Sequence, residues 1–477
     1  MGKFDYGTIV IGGGAAGLTS SIGSARMGSK TLLVEKEQKL GGDCLHYGCV
    51  PSKSLIKSAY CCNVLRHSQR YGLPKVEVPP VDFKEVRNRI RKIVDTIQEH
   101  DSPEFFKKQY NIDTEFGSPR FVDPHTITIN GKTITAKRFI LATGSAGKLP
   151  PVEGLKDVPF ITNVDVFSLE KLPVSLIVLG GGPIGAEMAQ AFCRLGSKVT
   201  IVEFAGHILP KEDEDVALLM ESILKEEGIE VLTSTAAKKA RKDGDMITLT
   251  LEHKGQIRTI SAESVLVATG RAPNVEGLDL EKAGVQYTPQ GIKVNNRLQT
   301  TAKNIFACGD CKGGFLFTHI AEYEARIALV NAFLPVPVLK TDYSKVPWCT
   351  YLDPEAASVG MNEGMAKKAG IEYKIYKAPF ADVDRALAEG ETKGFVKVLT
   401  DVKGKIIGVQ MVGFHAGELI HQWITAINGK VNLSNLAQTI YIYPTLAQIN
   451  KKVSGSYMAE RLFNNPVLKL IRSFKKK

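Results

Sequence analysis

The chain opens with an apolar run, a glycine-rich turn, a helical stretch and a second apolar run, and this order recurs later. The first copy has predicted strands at Thr8–Ile11 and Thr31–Val34. The second copy has predicted strands at Ser175–Leu179 and Lys198–Val202. A strand, a glycine turn, a helix and a second strand form a βαβ unit. The pattern therefore predicts two such units in one chain.

The remaining stretches predict further elements around these two units. Apolar residues recur at helical spacing from Val86 to Ile97 among charged residues, which predicts an amphipathic helix with a scaffold role. Strand-plus-turn signals run from Phe139 to Gly144 and from Val265 to Gly270. After about Lys345 the pattern changes to mixed strands and helices, without a glycine-rich turn.

Together these elements predict an α/β fold with two Rossmann-like dinucleotide-binding domains and a separate C-terminal α+β domain. A length of 477 residues suits about three domains. We place the domains at residues 1–152, 153–280, 281–345 and 346–477, the third being a return segment of the first.

Composition narrows the class of protein. Scattered basic residues give a net charge of +11 without any long basic block, so we expect no nucleic-acid partner. Eight cysteines, unevenly spaced, favour a redox or catalytic use in a reducing compartment over a secreted disulfide scaffold. The first strand begins too early to leave room for a leader, and no apolar run approaches ~18 residues. These features predict a cytoplasmic protein without stable membrane insertion.

The glycine turns carry the first chemical signal. Gly12, Gly14 and Gly17 suit a tight turn that lets the backbone approach a pyrophosphate, and Glu35 follows the next strand, where a ribose hydroxyl needs an acceptor. The second unit repeats this arrangement with Gly180, Gly182, Gly185 and Glu203. An empty scaffold is the alternative, but strand, turn, helix and acid agree twice. We therefore predict two dinucleotides, and the carboxylate of Glu203 favours NADH over NADPH.

The second signal is a cysteine pair, Cys44 and Cys49. A regular helix would separate their Cα atoms by ~7.5 Å, beyond the ~6.8 Å limit for a disulfide, so bridging requires a distorted turn, which Gly48 makes easier. Lys53 lies four residues after Cys49, where its ammonium would favour a thiolate. The alternative is two buried thiols or half of a metal site. No further cysteine or histidine cluster has zinc-like spacing, so we predict no metal site.

These residues resemble the class I pyridine nucleotide-disulfide oxidoreductases, the family of dihydrolipoamide dehydrogenase, glutathione reductase and mercuric reductase, over nearly the whole chain. The resemblance implies FAD at the first glycine unit and the nicotinamide cofactor at the second. It also implies that Cys49 faces the flavin, that Cys44 meets the substrate and that Lys53 pairs with Glu187. A dimerisation domain after about Lys345 and an obligate homodimer follow in the same way. Further residues implied to hold the cofactors are Gly42, Thr143, Gly144, Gly270 and Asp310.

The chain departs from the family pattern near its end. Disulfide reductases of the family have a His-Pro-Thr-x-x-Glu motif, whereas this chain has Tyr443 and Gln448 at the two ionisable positions. A phenol titrates near ~10 and an amide does not ionise, so the usual base is missing. Ile22 replaces the arginine that binds glutathione. The ending Arg472–Lys477 lacks the cysteine pair that delivers mercury in mercuric reductases.

The electron acceptor, a small molecule or small protein, stays open between three hypotheses. In the first, the chain is a mercuric reductase-like or disulfide reductase-like enzyme, including dihydrolipoamide dehydrogenase. In the second, it is an NADH-dependent reductase of a metal ion or quinone. In the third, it is a redox-sensing flavoprotein without turnover. We assign Tyr443 to the catalytic residues in place of the histidine. His46, between the cysteines, is the alternative proton carrier, although packing or capping is the simpler interpretation.

Other candidates have structural interpretations. Cys308 and Cys311 form a C-x-x-C in the expected flavin loop, and adjacent Cys61 and Cys62 are interpreted as packing residues. We expect His319 to contribute backbone near the flavin.

Overall fold

The computed structural model describes residues 4–465. The basic cluster Lys475–Lys477 and the cysteine-free ending lie outside the described residues.

The amino-terminal part builds the first sheet around the first βαβ unit. Its central strands β1 and β2 are buried and mainly apolar, because other parts of the chain cover both faces of the sheet. The strand order is β3-β2-β1-β6-β5-β4, with β1 parallel to β2 and β6. The elements are β1 Tyr6–Ile11, α1 Ala15–Arg26, β2 Thr31–Glu35, α2 Gly42–His46, α3 Cys49–Arg66, α4 Phe83–Gln98, α5 Pro103–Tyr110, β3 Asp113–Phe116, β4 Arg120–Asp123, β5 Thr126–Ile129, β6 Lys132–Leu141 and β7 Ser145–Gly147.

The second unit forms its own parallel sheet in the order β10-β9-β8-β14, beside an antiparallel sheet in the order β11-β12-β13. Strand β15 returns to pair with β7 and so connects the two units. The elements are β8 Ser175–Leu179, α6 Pro183–Leu195, β9 Lys198–Val202, α7 Glu214–Glu226, β10 Glu230–Leu232, β11 Thr235–Asp243, β12 Met246–His253, β13 Gln256–Ala262, β14 Ser264–Val267 and β15 Arg271–Pro273.

The chain then returns to the first sheet. Strand β18 pairs in parallel with the end of β6, on the edge opposite β1, and adds the seventh strand. Helix α8 packs against α1 so closely that a methyl group on Gly23 would lie 2.1 Å from Leu329 Cδ2. The elements are β16 Tyr287–Thr288, β17 Gly291–Ile292, β18 Ile305–Ala307 and α8 Thr318–Phe333.

The C-terminal part is a five-stranded antiparallel sheet in the order β19-β20-β23-β22-β21, with helices packed around Trp423, which is fully buried. The elements are β19 Pro347–Thr350, β20 Glu355–Gly360, α9 Glu363–Lys368, β21 Tyr373–Pro379, α10 Asp384–Glu389, β22 Phe395–Asp401, β23 Ile406–Gly413, α11 Ala416–Leu419, α12 His421–Asn428, α13 Leu433–Gln438 and α14 Gln448–Asn464.

The predicted elements are present. Helix α4 begins after Asp82, whose carboxylate accepts a hydrogen bond from the amide of Lys84, and it buries Phe83 and Ile90 as the amphipathic pattern requires. The four predicted βαβ strands agree with β1, β2, β8 and β9 to within two residues at each end. Among residues 4–465, none of the helices combines the length and apolar character needed to span a bilayer. The domain boundaries themselves stay a prediction.

Candidate active site

The first glycine turn is shaped for close approach to a ligand. Gly12 has φ +109°, and a methyl group there would lie 2.2 Å from the carbonyl oxygen of Ala142. A methyl group on Gly17 would lie 1.7 Å from the Gly12 oxygen, so helix α1 can start this close to the turn only with glycine. Gly14 caps α1 without any side-chain hydrogen bond, which leaves its first amides available. This is a cradle that fits a pyrophosphate.

The second glycine turn has the same construction. Gly180 has φ +105°, and a methyl group there would lie 2.5 Å from the carbonyl oxygen of Ala268. A methyl group on Gly185 would lie 1.9 Å from the Gly180 oxygen. Gly182 caps α6 without a side-chain bond and faces open space within 4 Å. A second pyrophosphate therefore fits at this turn.

Glu35 and Glu203, at the ends of the second strands of the two βαβ units, are held by equivalent hydrogen bonds. Glu35 accepts a bond from the Gly13 amide at 2.6 Å, and Glu203 accepts one from the Gly181 amide at 2.5 Å. The second oxygen of Glu203 accepts from the Ala205 amide at 2.6 Å. Each carboxylate thus lies at the end of its strand and against its glycine turn. This placement suits a ribose hydroxyl, so the residues present fit two dinucleotides.

The predicted flavin-side residues converge on the start of the cysteine segment. A methyl group on Gly42 would lie 2.7 Å from Gly14 Cα, so the segment packs directly on the first glycine turn. Asp310 accepts a hydrogen bond from the Ser145 hydroxyl at 2.6 Å, and burial raises the pKa of Asp310. Arg271 donates to Ser145 at 2.8 Å and pairs with Asp43 at 3.2 Å. The network joins the cysteine segment to both units.

The turn that ends the first strand-plus-turn signal contacts the chain just after β15. The hydroxyl of Thr143 donates to the carbonyl of Asn274 at 2.7 Å, and the side-chain amide of Asn274 donates back to the Thr143 carbonyl. Gly144 and Gly270 both have positive φ, and neither would contact an added methyl group. The two glycines lie at opposite ends of the β7–β15 ribbon, because the strands pair antiparallel and each glycine precedes its strand.

The backbone between the two cysteines is broken, as the spacing predicts. Helix α2 ends at His46 and α3 begins at Cys49. Gly48 lies between them with φ −131° and ψ −116°, and a methyl group there would lie 2.9 Å from the Asp43 carbonyl oxygen. Gly48 is thus needed for space rather than for a left-handed conformation. Both cysteines are thiols in this structure.

The two sulfur atoms have different electrostatic surroundings. A hydrogen bond from Cys44, together with Thr318 and Lys53, lowers the pKa of Cys49 to about 6, against the opposing effect of burial. The same hydrogen bond and burial raise the pKa of Cys44 above its ordinary value. Near neutral pH the pair therefore holds one thiolate, on Cys49, and one thiol, on Cys44.

Lys53 and Glu187 form the expected ion pair, with Nζ 2.8 Å from Oε2. The other oxygen of Glu187 accepts a hydrogen bond from the Tyr351 amide at 2.8 Å. The Lys53 ammonium also lies over the Tyr351 ring, 4.4 Å from its centre. Tyr351 follows β19, so the C-terminal part contributes to this site, a contact that no local sequence signal indicates.

The two histidines that border the site have structural contacts. The Nε2 atom of His46 lies 2.8 Å from the Leu40 carbonyl oxygen, a structural contact that favours the packing interpretation over that of a proton carrier. The Nε2 atom of His319 lies 2.8 Å from the Pro347 carbonyl oxygen, so its ring contacts the C-terminal part. The prediction for His319 concerned its backbone and stays untested.

The other cysteines divide by burial. Cys308 and Cys311 are fully buried, and burial raises the pKa of both thiols, which argues against redox exchange. Cys62 packs in the core, whereas its neighbour Cys61 is exposed, so the packing interpretation holds for Cys62 alone.

Tyr443 and Gln448 lie on the surface of the C-terminal part. Tyr443 is 68% exposed and donates a hydrogen bond to Asp384 at 3.1 Å, which raises the pKa of its phenol. Gln448 donates to the carbonyl of Ile442 at 3.1 Å instead of contacting the phenol. Both border a cavity of about 90 Å³. Their described hydrogen bonds do not reach the redox cysteines of the same chain.

Three carboxylates between the second unit and the C-terminal part lie close enough to hold a metal ion. The ammonium of Lys397 already lies among them, 2.8 Å from Asp213, 2.7 Å from Asp215 and 3.0 Å from Glu363. The cluster is an ion-pair network between the two parts.

Comparison with known proteins agrees with this geometry. Residues 6–325 match the model of pyridine nucleotide-disulphide oxidoreductases, and residues 346–453 match the dimerisation domain of the same family. The chain is 36% identical to a dihydrolipoyl dehydrogenase of Bacillus subtilis, over 93% of this chain and 96% of that protein. It is 32% identical to a mercuric reductase of Bacillus cereus, over 98% of this chain and 73% of that protein.

A solved structure extends the comparison. The HOCl-induced flavoprotein disulfide reductase RclA of Escherichia coli superposes with a TM-score of 0.85 at 27% identity, over 94% of this chain and 99% of that chain. Its Cu(II) complex matches with a TM-score of 0.84. The chain belongs to the pyridine nucleotide-disulphide oxidoreductases, and it is an FAD-dependent NAD(P)H oxidoreductase of that family.

Proposed function

We propose that the enzyme transfers electrons from NADH through FAD to the Cys44–Cys49 disulfide, and from the resulting dithiol to a thiophilic metal ion such as Cu(II). The observation that carries the proposal is the asymmetric sulfur pair: a thiolate on Cys49 and a thiol on Cys44, with Tyr443 and Gln448 where an acid–base pair would manage the thiol proton.

FAD, when bound, supplies two-electron transfer between the nicotinamide and the disulfide. The first glycine turn would hold its pyrophosphate, Glu35 its ribose and Asp310 its ribityl chain, with Gly42, Thr143 and Gly144 close by. At the second turn, Gly180, Gly182, Gly185 and Gly270 would leave room for NADH, and Glu203 would accept from its free 2′-hydroxyl.

The protein's own residues prepare the pair for electron release. Lys53 compensates the negative charge of Glu187 and stabilises the thiolate of Cys49. Cys44 stays protonated because its pKa is raised, and it is half-buried, whereas Cys49 is exposed. In the reduced enzyme the two sulfurs offer a soft, bidentate donor set, which suits copper or mercury better than hard cations.

The metal reaction balances without a histidine. Oxidation of the Cys49 thiolate and the Cys44 thiol to the disulfide releases two electrons and one proton, so it reduces two Cu(II) ions to Cu(I), with the proton released to water. No substrate thiol has to be protonated, whereas thiol–disulfide exchange needs a proton at the leaving sulfur. The Cu(II) complex of RclA and the similarity to mercuric reductase support this acceptor class.

Disulfide reduction is the second candidate. Its support is the 36% identity to dihydrolipoyl dehydrogenase over nearly the full length of both proteins. Against it stand Tyr443, whose phenol has a raised pKa, and Gln448, which does not ionise. A quinone acceptor shares the independence from a histidine, and a redox sensor without turnover is the remaining alternative.

We propose that the enzyme acts as a homodimer, in which each C-terminal part contributes Tyr443 to the partner's cysteine pair. The segment before Pro444 is unusually exposed for apolar residues: Ile440 is 97% exposed and Ile442 is 79% exposed. The matched dimerisation domain includes this segment. A cytoplasmic location, where NADH is available and thiols stay reduced, fits this function.

The test is an acceptor screen with the flavin-loaded enzyme under anaerobic NADH, using Cu(II), Hg(II), a simple quinone, lipoamide and glutathione disulfide. We expect NADH oxidation with the metal ions, and its loss in the Cys44→Ser and Cys49→Ser variants. Faster turnover with lipoamide than with either metal ion would select the disulfide candidate. Turnover that survives both serine variants would refute the use of the cysteine pair.

A further inference from the structure

Thr318 lies beside the redox cysteines although 269 residues separate it from Cys49. Its Oγ1 atom is 3.6 Å from Cys49 Sγ, within hydrogen-bonding distance for sulfur. Thr318 is the first residue of α8 and follows Phe317, whose backbone is extended. The β-branched side chain restricts rotation about χ1, so the start of α8 holds the hydroxyl in place.

The hydroxyl is one of several groups around the Cys49 sulfur. Cys44 on α2 donates a hydrogen bond, and Lys53 on α3 supplies a positive charge, whereas Glu187 on α6 and Tyr351 after β19 add negative or phenolic groups. Lys53 is already paired with Glu187 at 2.8 Å, so its charge is largely compensated. A neutral donor therefore matters here, because it favours the thiolate without adding a charge beside the flavin site.

The hydroxyl also interacts with Cys44, where it opposes the effect of burial. The contact with described hydrogen-bonding geometry is the one to Cys49, so the hydroxyl stabilises a negative charge there more than on Cys44. A serine hydroxyl would retain this ability with less rigidity, and valine, of the same shape, would abolish it.

We propose that Thr318 is a catalytic residue, whose hydroxyl donates a hydrogen bond to the Cys49 thiolate and keeps the negative charge on Cys49 rather than on Cys44. This inference rests on the proposed use of the Cys44–Cys49 pair. The contact exists only in the folded chain, because the sequence around Thr318 has no signal beyond a threonine ahead of a histidine.

The experiment measures the alkylation of Cys49 by iodoacetamide against pH in the anaerobically reduced, desalted protein, with each cysteine quantified by peptide mass spectrometry. We expect a midpoint near the Cys49 pKa of about 6 in the unmodified protein. Loss of one hydrogen bond to an ionised group should raise it by roughly one pH unit in Thr318→Val, and alkylation should shift toward Cys44. Thr318→Ser should keep most of the original midpoint.

Ser52→Ala is the matched control. Its hydroxyl lies on the same helix as Cys49 but donates to the Cys49 carbonyl oxygen at 3.1 Å, not to the sulfur. We expect an unchanged midpoint. If Thr318→Val does not fold, Thr318→Ala replaces it, with the same expected shift.

Two results would overturn the proposal: an unchanged midpoint in the valine or alanine variant, or an equal shift in the serine variant. Failure of the proposed function has a different signature, namely NADH turnover that survives Cys44→Ser and Cys49→Ser. An unchanged alkylation midpoint, with turnover that still depends on both cysteines, would refute the role of Thr318 and leave the proposed function standing.

Discussion

Lys53 and Glu187, 134 residues apart in sequence, form an ion pair at 2.8 Å in which the carboxylate is almost fully buried and the ammonium is about one-third exposed. The two charges act on Cys49 in opposite directions, since Lys53 lowers its pKa and Glu187 raises it. Glu187→Gln should therefore move the midpoint of Cys49 alkylation below about 6, and Lys53→Met should move it above about 6.

Lys53→Met should also lower the free energy of unfolding by roughly 1 to 3 kcal/mol, because it leaves the buried carboxylate without its partner. Lys107→Met is the matched control: its pair with Asp113 has the same 2.8 Å distance but a more exposed lysine, so the loss should stay below about 1 kcal/mol. Chemical denaturation measures both. Equal losses would show that burial of Glu187 contributes nothing.

The carboxylate of Glu203 should make the enzyme prefer NADH. A 2′-phosphate would lie against this charge, so kcat/KM for NADPH should be lower by at least about 10-fold. Glu203→Gln should bring kcat/KM for NADPH closer to that for NADH. Glu35→Gln, the equivalent change at the first turn, should weaken flavin retention and leave the ratio of the two kcat/KM values unchanged. Equal kcat/KM for the two nucleotides in the unmodified enzyme would show that Glu203 does not contact the ribose.

Disulfide substrates should be slow because the thiol proton has no base near neutrality. General acid–base catalysis contributes ~10²- to 10⁴-fold, so lipoamide turnover should lag behind flavin reduction by NADH by a factor of that order. Tyr443→His combined with Gln448→Glu should speed lipoamide turnover and leave flavin reduction unchanged. Stopped-flow and steady-state rates measure the two steps. Lipoamide turnover of several hundred per second in the unmodified enzyme would contradict the expectation.

The exposed apolar segment before Pro444 should hold the dimer together. Ile442→Asp would bury a charge in the interface and should shift the protein toward monomer, with flavin content retained and turnover lost. Val174→Asp is the matched control, because Val174 is 77% exposed but precedes β8 in the second unit. Sedimentation velocity measures the mass. A dimeric Ile442→Asp protein would place the interface elsewhere.

The local parts of the site were predictable and the distant contacts were not. The strands at 175–179 and 198–202 follow from short apolar runs beside glycine turns, and the Cys44–Cys49 spacing indicates the broken helix. The Ser145–Asp310 bond, by contrast, joins residues 165 positions apart: the family resemblance indicates Asp310, but no sequence signal pairs it with Ser145. Thr318 belongs to the same class, since its role depends on where α8 starts in space. Burial of Cys308 and Cys311, which separates them from a redox C-x-x-C, likewise depends on tertiary packing.

The return of β18 to the first sheet has a consequence for how the chain acquires its structure during synthesis. Strand β6 pairs with β1 as soon as both have emerged, but its other parallel neighbour is supplied only after Ile305. The second sheet, whose strands lie within residues 175–267, is complete before that point. The nascent protein thus has a complete second sheet and a first sheet with one open edge on β6. That edge is the region exposed to wrong strand pairing until β18 is synthesised.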